Sequence, residues 1–256
     1  MAEKWRLLDT GLNNAFYNMA LDEAIAIAKA KNLVPNTLRF FRWEPSAVSI
    51  GYFQSMEEEV DVKACDEMGI DHVRRRTGGG AVYHDRDGEL TYSLIINENH
   101  RLISQDFQKT YETLCSGLVL GLRCLGVPAE FKLINDIIVN GKKLSGNAQT
   151  RASGVVHQHG TILRYVNPSL MFTVLKVPNE KIRDKMIKSV EERVTSIKNY
   201  LKREVSFEEL KKTLIKGFEE AFDIELIPEE ITDFEKQTAI KLQKEKYSTK
   251  EWNFKR

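Results

Sequence analysis

Apolar residues recur at helical spacing in two stretches of the chain. Between residues 14 and 30, Phe16, Met19, Ala20, Ala24 and Ile27 fall on one stripe, which predicts a helix with one buried face. Apolar residues also recur every three or four positions from 104 to 125, and the glycine and proline of residues 126–128 would end that second helix.

Short runs rich in β-branched and aromatic residues predict strands between these helices and after the second one. They cover residues 37–43, 47–52, 72–76, 81–84, 90–96 and 155–163. Helices and strands mixed in this way predict an α/β (α+β) fold with mixed or antiparallel sheets.

Beyond residue 166 the composition changes to Lys/Glu-rich helical patterns, including residues 201–222 and 231–247. Ser206 followed by Glu209 has the spacing of an N-terminal capping box. No Gly/Ser-rich linker separates this part from the strands. We therefore expect one domain over residues 1–256, with a helix-rich part from about residue 167.

Composition and charge exclude several classes of protein. The chain has 38 Lys+Arg against 37 Asp+Glu, so no general field attracts nucleic acid or an anionic membrane. Cys65, Cys115 and Cys124 match neither a CxxC metal site nor a disulfide framework, which suits a reducing compartment. The start lacks an apolar signal core, and no run approaches the roughly 20 apolar residues of a membrane span. We expect a cytoplasmic protein.

The segment RRRTGGGAVYHD at residues 74–85 is the densest chemical signal. Consecutive glycines let backbone N–H groups approach an anion, and arginine offers a planar fork for phosphate oxygens. β-like residues follow the glycines, so the segment is neither a Walker loop nor a dinucleotide fingerprint. The alternative is a glycine hairpin beside a solvated basic strand. Three arginines on a strand of a buried sheet favour phosphate binding, because anions would neutralise them.

A second signal is the dipeptide Asn140-Gly141 between apolar residues, which predicts a two-residue hairpin turn. The resulting register would pair Val139 with Lys142, Ile138 with Lys143, Ile137 with Leu144 and Asp136 with Ser145. One face would then carry an acid, a cation and a hydroxyl, from Asp136, Lys143 and Ser145. The alternative is that Lys142 and Lys143 are solvated residues beside a turn.

Histidines form a third, weaker signal. Alternation over residues 155–163 places His157, His159 and Thr161 on one face. Such histidines are usually structural, and the same holds for His84; of the strand histidines, His159 is the better candidate for lining a site.

Taken together, three motifs resemble those of the lipoate-protein ligase A family. They are RRRTGGGAVYHD at 74–85, Asn135-Asp136 with GKKLSGNA at 141–148, and HGTIL at 159–163. Supporting stretches are MALDEA at 19–24, residues 39–54, KVP at 176–178 and KYSTKEWN at 246–253. The likeness covers nearly the whole chain.

The resemblance implies a fold shared with biotin-protein ligases and class II aminoacyl-tRNA synthetases, in which helices surround mixed sheets. It also implies two reactions. The lipoate carboxylate attacks the α-phosphate of ATP with Mg²⁺ and gives lipoyl-AMP and pyrophosphate. A lysine of a lipoyl carrier domain, on a 2-oxoacid dehydrogenase E2 or the glycine cleavage H protein, then attacks the mixed anhydride.

The resemblance also assigns residues. Lys143 would be the catalytic residue, its ammonium stabilising charge on the phosphate and on the lipoyl carbonyl oxygen. Lys143, Gly79 and His159 would bind lipoate, and Asp136 would bind Mg²⁺. The residues that would bind ATP or lipoyl-AMP are Arg75, Gly78, Gly79, Gly80, Ala81, Val82, Tyr83, His84, Asp136, Lys143 and Ala148.

One departure concerns the C-terminus. Many bacterial members continue into a small accessory domain after the segment that corresponds here to residues 247–253, whereas this sequence ends at Arg256. It resembles the archaeal arrangement, which implies a separate small accessory subunit as a partner in adenylation.

The main rival is an octanoyltransferase of the same fold, which uses a cysteine nucleophile and no ATP. In one such group the nucleophile lies just before the lysine hairpin, where this sequence has Asn135-Asp136. A biotin ligase is disfavoured because its GRGR-type loop is replaced by RRRTGGG. A non-catalytic binder of carrier domains is disfavoured because Lys143 and the glycine loop are both retained.

Overall fold

A computed structural model of the chain describes residues 2–176 and 180–256, without the side chains of residues 180, 181 and 183. Val177 and Pro178 of the KVP stretch lie outside the described residues.

The strands are β1 (Glu3–Asn13), β2 (Thr37–Trp43), β3 (Ala47–Ile50), β4 (Asp71–Arg74), β5 (Val82–His84), β6 (Glu89–Asn97), β7 (Glu130–Lys132), β8 (Asp136–Val139), β9 (Lys142–Ala152), β10 (Val155–Leu163) and β11 (Ile224–Pro228). The helices are α1 (Ala15–Ala30), α2 (Met56–Glu59), α3 (Val62–Glu67), α4 (Phe107–Cys124), α5 (Pro168–Val174), α6 (Glu180–Arg193), α7 (Ile197–Leu201), α8 (Phe207–Phe222), α9 (Asp233–Leu242), a π-helical turn (Gln243–Tyr247) and α10 (Lys250–Asn253).

The strands form two sheets. Eight strands lie in the order β11-β1-β2-β6-β10-β9-β8-β7, and three lie in the order β4-β3-β5. In the large sheet, β1 is parallel to β2 and β11, and the remaining pairs are antiparallel. The predicted fold class, mixed sheets with surrounding helices, is confirmed.

Helices cover both faces of the large sheet. Phe40 of β2 packs in the core cluster that contains Leu118 of α4 and Phe218 of α8, whereas its neighbour Phe41 packs with Met19 of α1. Successive side chains of a strand point to opposite faces, so α1 covers one face and the pair α4 and α8 covers the other. Burial on both sides explains why β2 and β6 are almost continuously buried rather than alternating.

The sequence patterns do not predict three of these strands, β1, β7 and β11. β11 lies inside the part expected to be helix-rich from about residue 167, and it pairs with β1 at the far end of the chain. This pairing supports one domain over residues 1–256, which stays a prediction. In the part of the chain that the structure describes, no helix is long and apolar enough to cross a membrane.

Arg6 and Glu235 form a fully buried ion pair that ties β1 to α9. Arg6 Nη1 donates to Glu235 Oε2 at 2.9 Å, and Nε donates to Thr37 Oγ1 at 3.2 Å. We expect Arg6→Met to lower the free energy of unfolding by about 3–5 kcal/mol, because a carboxylate is left buried without its partner. Urea denaturation measures the loss.

The matched control is Arg203→Ala, which removes an exposed pair with Glu209. Exposed pairs are screened and contribute little, so this variant should unfold close to the wild-type midpoint. Equal destabilisation by the two substitutions would contradict the stabilising role of the buried pair.

Candidate active site

A cavity of about 320 Å³ lies between the small sheet and strands β9 and β10 of the large sheet. Ten of the predicted site residues line it: Arg75, Gly79, Gly80, Ala81, Val82, Tyr83, His84, Lys143, Ala148 and His159. The other two stand just behind the lining that the structure describes. The Gly78 carbonyl accepts from Arg75, and Asp136 contacts Lys143.

The lysine hairpin has the predicted turn. Asn140 and Gly141 have φ values of 49° and 76°, as a two-residue type I′ turn requires. The two residue pairs next to the turn also match the predicted register.

Farther from the turn the predicted register is wrong by one residue. Ile137 pairs with Ser145, and Asp136 pairs with Gly146. The extra residue on β9 is Leu144, which enters the large hydrophobic core. A bulge of this kind changes the direction of neighbouring side chains. Strand β9 can therefore bury Leu144 while Lys143 and Ser145, on either side of it, line the cavity.

Lys143 is held against Asp136. Its Nζ lies 2.7 Å from Asp136 Oδ1, and the two side chains are 43% and 30% exposed. Oδ1 has no well-directed hydrogen bond, so the contact is an ion pair that an anionic ligand can compete for. The Lys143 stem lies over Gly146, where an added Cβ would come within 2.8 Å of Nζ. The Lys143 carbonyl accepts from Thr195 N at 2.8 Å, which fixes the backbone.

Arg75 is buried and uses its guanidinium inside the protein. Nε donates to Thr77 Oγ1, Nη1 to the carbonyl and Oγ of Ser49, and Nη2 to the carbonyls of Gly78 and Gly80, at distances of 2.7–3.1 Å. A guanidinium has five N–H donors, so all are engaged. Burial lowers the pKa of Arg75 to about 10, which leaves it charged at neutral pH. Arg75 therefore shapes the glycine loop, and its contact with a phosphate stays a prediction.

The three adjacent arginines do not need a bound anion. β4 ends at Arg74, whose guanidinium donates to the carbonyls of residues 51, 52, 54, 252 and 253. Arg76 Nε lies 3.7 Å from Glu23 Oε1. Backbone carbonyls thus solvate the guanidinium of Arg74, and an internal carboxylate faces that of Arg76.

Both predicted histidines line the cavity and are engaged in hydrogen bonds. His84 Nε2 lies 2.8 Å from Ser49 Oγ, and Nδ1 lies 2.7 Å from Glu89 Oε1. His159 Nε2 lies 2.7 Å from Thr77 Oγ1 in the glycine loop. Burial lowers the pKa of His159 to about 4, so its ring is neutral and its uncharged face borders the cavity.

Asn147 is a cavity residue to which the motifs gave no role. Its Oδ1 accepts from Tyr92 Oη at 2.7 Å, and its Nδ2 donates to the Asn135 carbonyl at 2.8 Å. These bonds fix the backbone beside Asp136. The motif contained Asn147, but its partners, Tyr92 of β6 and Asn135 just before β8, are distant in sequence, so local spacing could not identify these contacts.

Except for Val82, the large apolar side chains of the cavity were not predicted to line it. They come from α1, β2, β5, β10 and the segment around α5 and α6, and a lining of this type suits an acyl chain. The residues are Met19, Trp43, Val82, Leu163, Val166, Met171, Val190 and Val194.

The three cysteines lie away from this lining. Cys115 is buried in the core between α4 and the sheet, Cys65 is buried under the small sheet, and Cys124 is exposed at the end of α4. Burial raises the pKa of both Cys65 and Cys115 to about 12. At neutral pH these two thiols carry almost no thiolate, which is the nucleophilic form.

Asp136 provides only part of a magnesium site. Mg²⁺ usually binds one or two carboxylates together with substrate phosphates and waters. Asp136 offers one carboxylate beside the cavity, where it now pairs with Lys143. It could hold the ion once a phosphate draws the ammonium away, and this role stays a prediction.

Comparison with known proteins agrees with the motifs. A family model described as the lipoyl protein ligase A/B catalytic domain matches residues 14–219. An octanoyltransferase LipM from Kyrpidia tusciae is 39% identical over 276 aligned residues, covering 99% of this chain and all of the relative.

Two solved structures are similar over nearly their full length. One comes from a bi-partite lipoate protein ligase of Thermoplasma acidophilum, with a TM-score of 0.88, 36% identity, and coverage of 98% of this chain and 96% of that one. The other is a lipoate-protein ligase A bound with ATP, with a TM-score of 0.84, 34% identity and 99% coverage of both chains. The chain therefore belongs to the lipoyl protein ligase A/B catalytic-domain family.

Proposed function

We propose that this enzyme transfers a lipoyl or octanoyl group to a lysine of a lipoyl carrier domain, with an acyl-adenylate as the activated donor. The observation that carries the proposal is the position of Lys143 Nζ in a cavity bordered by the glycine loop. Likeness to a lipoate-protein ligase A that binds ATP supports the choice of donor.

Lys143 acts by electrostatic stabilisation. In the first step a carboxylate oxygen of the acid bonds to the α-phosphorus of ATP and pyrophosphate leaves. In the second, the carrier amine bonds to the acyl carbon, the bond from that carbon to the phosphate oxygen breaks, AMP leaves and the amine loses a proton. Negative charge grows on oxygen in both steps, and a fixed ammonium stabilises it more in the transition state than in the ground state.

The glycine loop supplies the complementary surface. Gly79 has a φ of 95°, and a Cβ there would lie 2.9 Å from Arg75 Nη2, so a side chain would be strained and crowded. Backbone N–H groups of such a loop suit the adenylate phosphate. Mg²⁺, held by Asp136 and the substrate phosphates, would neutralise charge on the pyrophosphate as it leaves. A separate accessory subunit remains part of the proposal, supported by likeness to the bi-partite ligase.

A second candidate is acyl transfer from an acyl thioester without ATP. Likeness to the octanoyltransferase LipM favours it. If a cysteine were the nucleophile, it would have to reach the acyl carbon, and the three cysteines of this chain lie away from the described cavity lining.

One experiment separates these routes. The purified chain is given a lipoyl carrier domain and one of three donors: lipoate with MgATP, synthetic lipoyl-AMP, or an octanoyl thioester. We expect modification of the carrier, seen by intact mass, with lipoyl-AMP, and with lipoate plus MgATP at least when the accessory subunit is present.

The matched variant replaces all three cysteines by alanine. Transfer from lipoyl-AMP should persist, because the adenylate is already activated. Loss of transfer in a variant that still folds would contradict the adenylate route and point to a catalytic thiol. No transfer from any donor would overturn the proposed function.

A further inference from the structure

Three side chains that line one wall of the cavity form a hydrogen-bonded chain. Ser49 Oγ lies 2.8 Å from His84 Nε2, and His84 Nδ1 lies 2.7 Å from Glu89 Oε1. Ser49 comes from β3, His84 from β5 and Glu89 from β6, and all three are nearly fully buried. A hydroxyl bonded to an imidazole that a carboxylate orients is the arrangement of an activated nucleophile.

With Glu89 ionised, the hydrogen bonds assign one donor and acceptor pattern to this chain. An ionised Glu89 can only accept, so His84 Nδ1–H donates to it and Nε2 accepts the Ser49 hydroxyl. Ser49 Oγ also accepts from Arg75 Nη1 at 3.1 Å. The imidazole thus has its free lone pair on the serine, as a general base requires.

A buried carboxylate and an aromatic ring lie against His84. Glu89 is 1% exposed, and its Oε2 has no hydrogen-bond partner among the described residues. The ring of Trp43 stacks on His84, with centroids 4.0 Å apart and planes inclined by 17°. Such groups can stabilise the positive charge that develops on an imidazole while it accepts a proton from a nucleophile.

We propose that Ser49 is a nucleophile, with His84 as its base and Glu89 as the orienting carboxylate, through which the enzyme accepts a medium-chain acyl group from an acyl thioester. This inference rests on the part of the proposed function in which an acyl group passes to a carrier lysine, and it adds an acyl thioester as a second donor beside the adenylate. It supplies the thioester route with a nucleophile that is not a cysteine.

The chemistry balances in two steps. Ser49 Oγ bonds to the thioester carbon while its proton passes to His84 Nε2, and the carbon–sulfur bond breaks as the thiolate leaves and takes that proton. The carrier amine then bonds to the ester carbon, the carbon–oxygen bond breaks, and a proton from the amine returns through His84 to Ser49. The guanidinium of Arg75 beside Oγ stabilises the negative charge that develops there.

The test is covalent trapping with octanoyl-coenzyme A in the absence of a carrier. We expect the wild-type chain, quenched in acid, to gain the mass of one octanoyl group, with the modified peptide containing Ser49. The adduct should be an ester, which resists neutral hydroxylamine and is cleaved by alkaline hydroxylamine. The cysteine-free variant should gain the same adduct, and Ser49→Ala should gain none.

Two further variants keep the test decisive should Ser49→Ala fail to fold. Ser49→Cys should form an adduct that neutral hydroxylamine now releases, because the linkage becomes a thioester. His84→Gln should slow acylation by about 10²–10⁴-fold, the usual contribution of a general base. No adduct on the wild type, an adduct on Ser49→Ala, or loss of the adduct in the cysteine-free variant would overturn the proposal.

Wild-type transfer from lipoyl-AMP is measured in parallel. If the wild type transfers lipoyl from lipoyl-AMP but forms no octanoyl adduct, the serine nucleophile is refuted and the proposed function is retained. An octanoyl adduct without adenylate transfer would support the serine and refute the adenylate route.

Discussion

Lys143→Ala should lower the rate of acyl transfer to a carrier lysine by about 10²–10³-fold while the protein stays folded. This is the usual cost of removing one preorganised group that stabilises charge on oxygen. The other strongly basic group in the described lining is Arg75, whose five donors are already engaged, so it cannot substitute. Initial rates with lipoyl-AMP, followed by intact mass of the carrier, measure the loss.

The matched control is Lys142→Ala, one residue away on the same hairpin. Lys142 Nζ donates to the Glu191 carbonyl at 2.9 Å on the protein surface, so its removal should leave the rate nearly unchanged. The Lys143–Asp136 pair is partly exposed, and its loss should change the melting temperature little. Comparable loss of activity in both variants would mean that general basic charge, rather than the placement of Lys143, drives transfer.

Local patterns predicted the elements whose signals are local. Strand β2 and strand β10 fall where the patterns put them, at residues 37–43 and 155–163, and α1 begins one residue after the predicted start. The turn at Asn140-Gly141 also depends on two adjacent residues that tolerate positive φ. In each case a short run of residues was enough to predict the element and its position.

Features that depend on distant partners were missed or wrong. β1 does not alternate cleanly, because Arg6 is buried against Glu235 at the other end of the chain. The bulge at Leu144 arises because the core takes that side chain, and no turn rule predicts it. Hydrophobic periodicity is a property of one segment. The burial of Arg6 and the position of the bulge depend instead on packing between segments.

In the site, too, local signals were predicted and contacts between distant residues were not. The motifs pointed to ten site residues that line the cavity, including Lys143 and His84. They did not show that Arg75 is occupied by loop carbonyls, nor that His84 joins Ser49 to Glu89 across three strands. A motif indicates which residue types are present, and the partners that set their chemistry come from the tertiary fold.

Gly146→Ala should slow acyl transfer by about 100-fold without removing any functional group. An added Cβ would lie 2.8 Å from both Cε and Nζ of Lys143, closer than non-bonded atoms approach. The lysine is the flexible partner, so its ammonium moves and the backbone does not. A displacement of about 1 Å at a reacting centre can cost 10²-fold in rate. The melting temperature should stay close to that of the wild type, since the strain is relieved at a partly exposed side chain.

A double-mutant cycle tests whether Gly146 acts through Lys143. If the alanine only displaces the ammonium, then Gly146→Ala combined with Lys143→Ala should transfer no more slowly than Lys143→Ala alone, because the group to be displaced is absent. A further loss in the double variant would show that Gly146 contributes by another route, such as close approach of the ligand to β9. Non-additivity would instead identify Gly146 as the residue that sets where the ammonium lies.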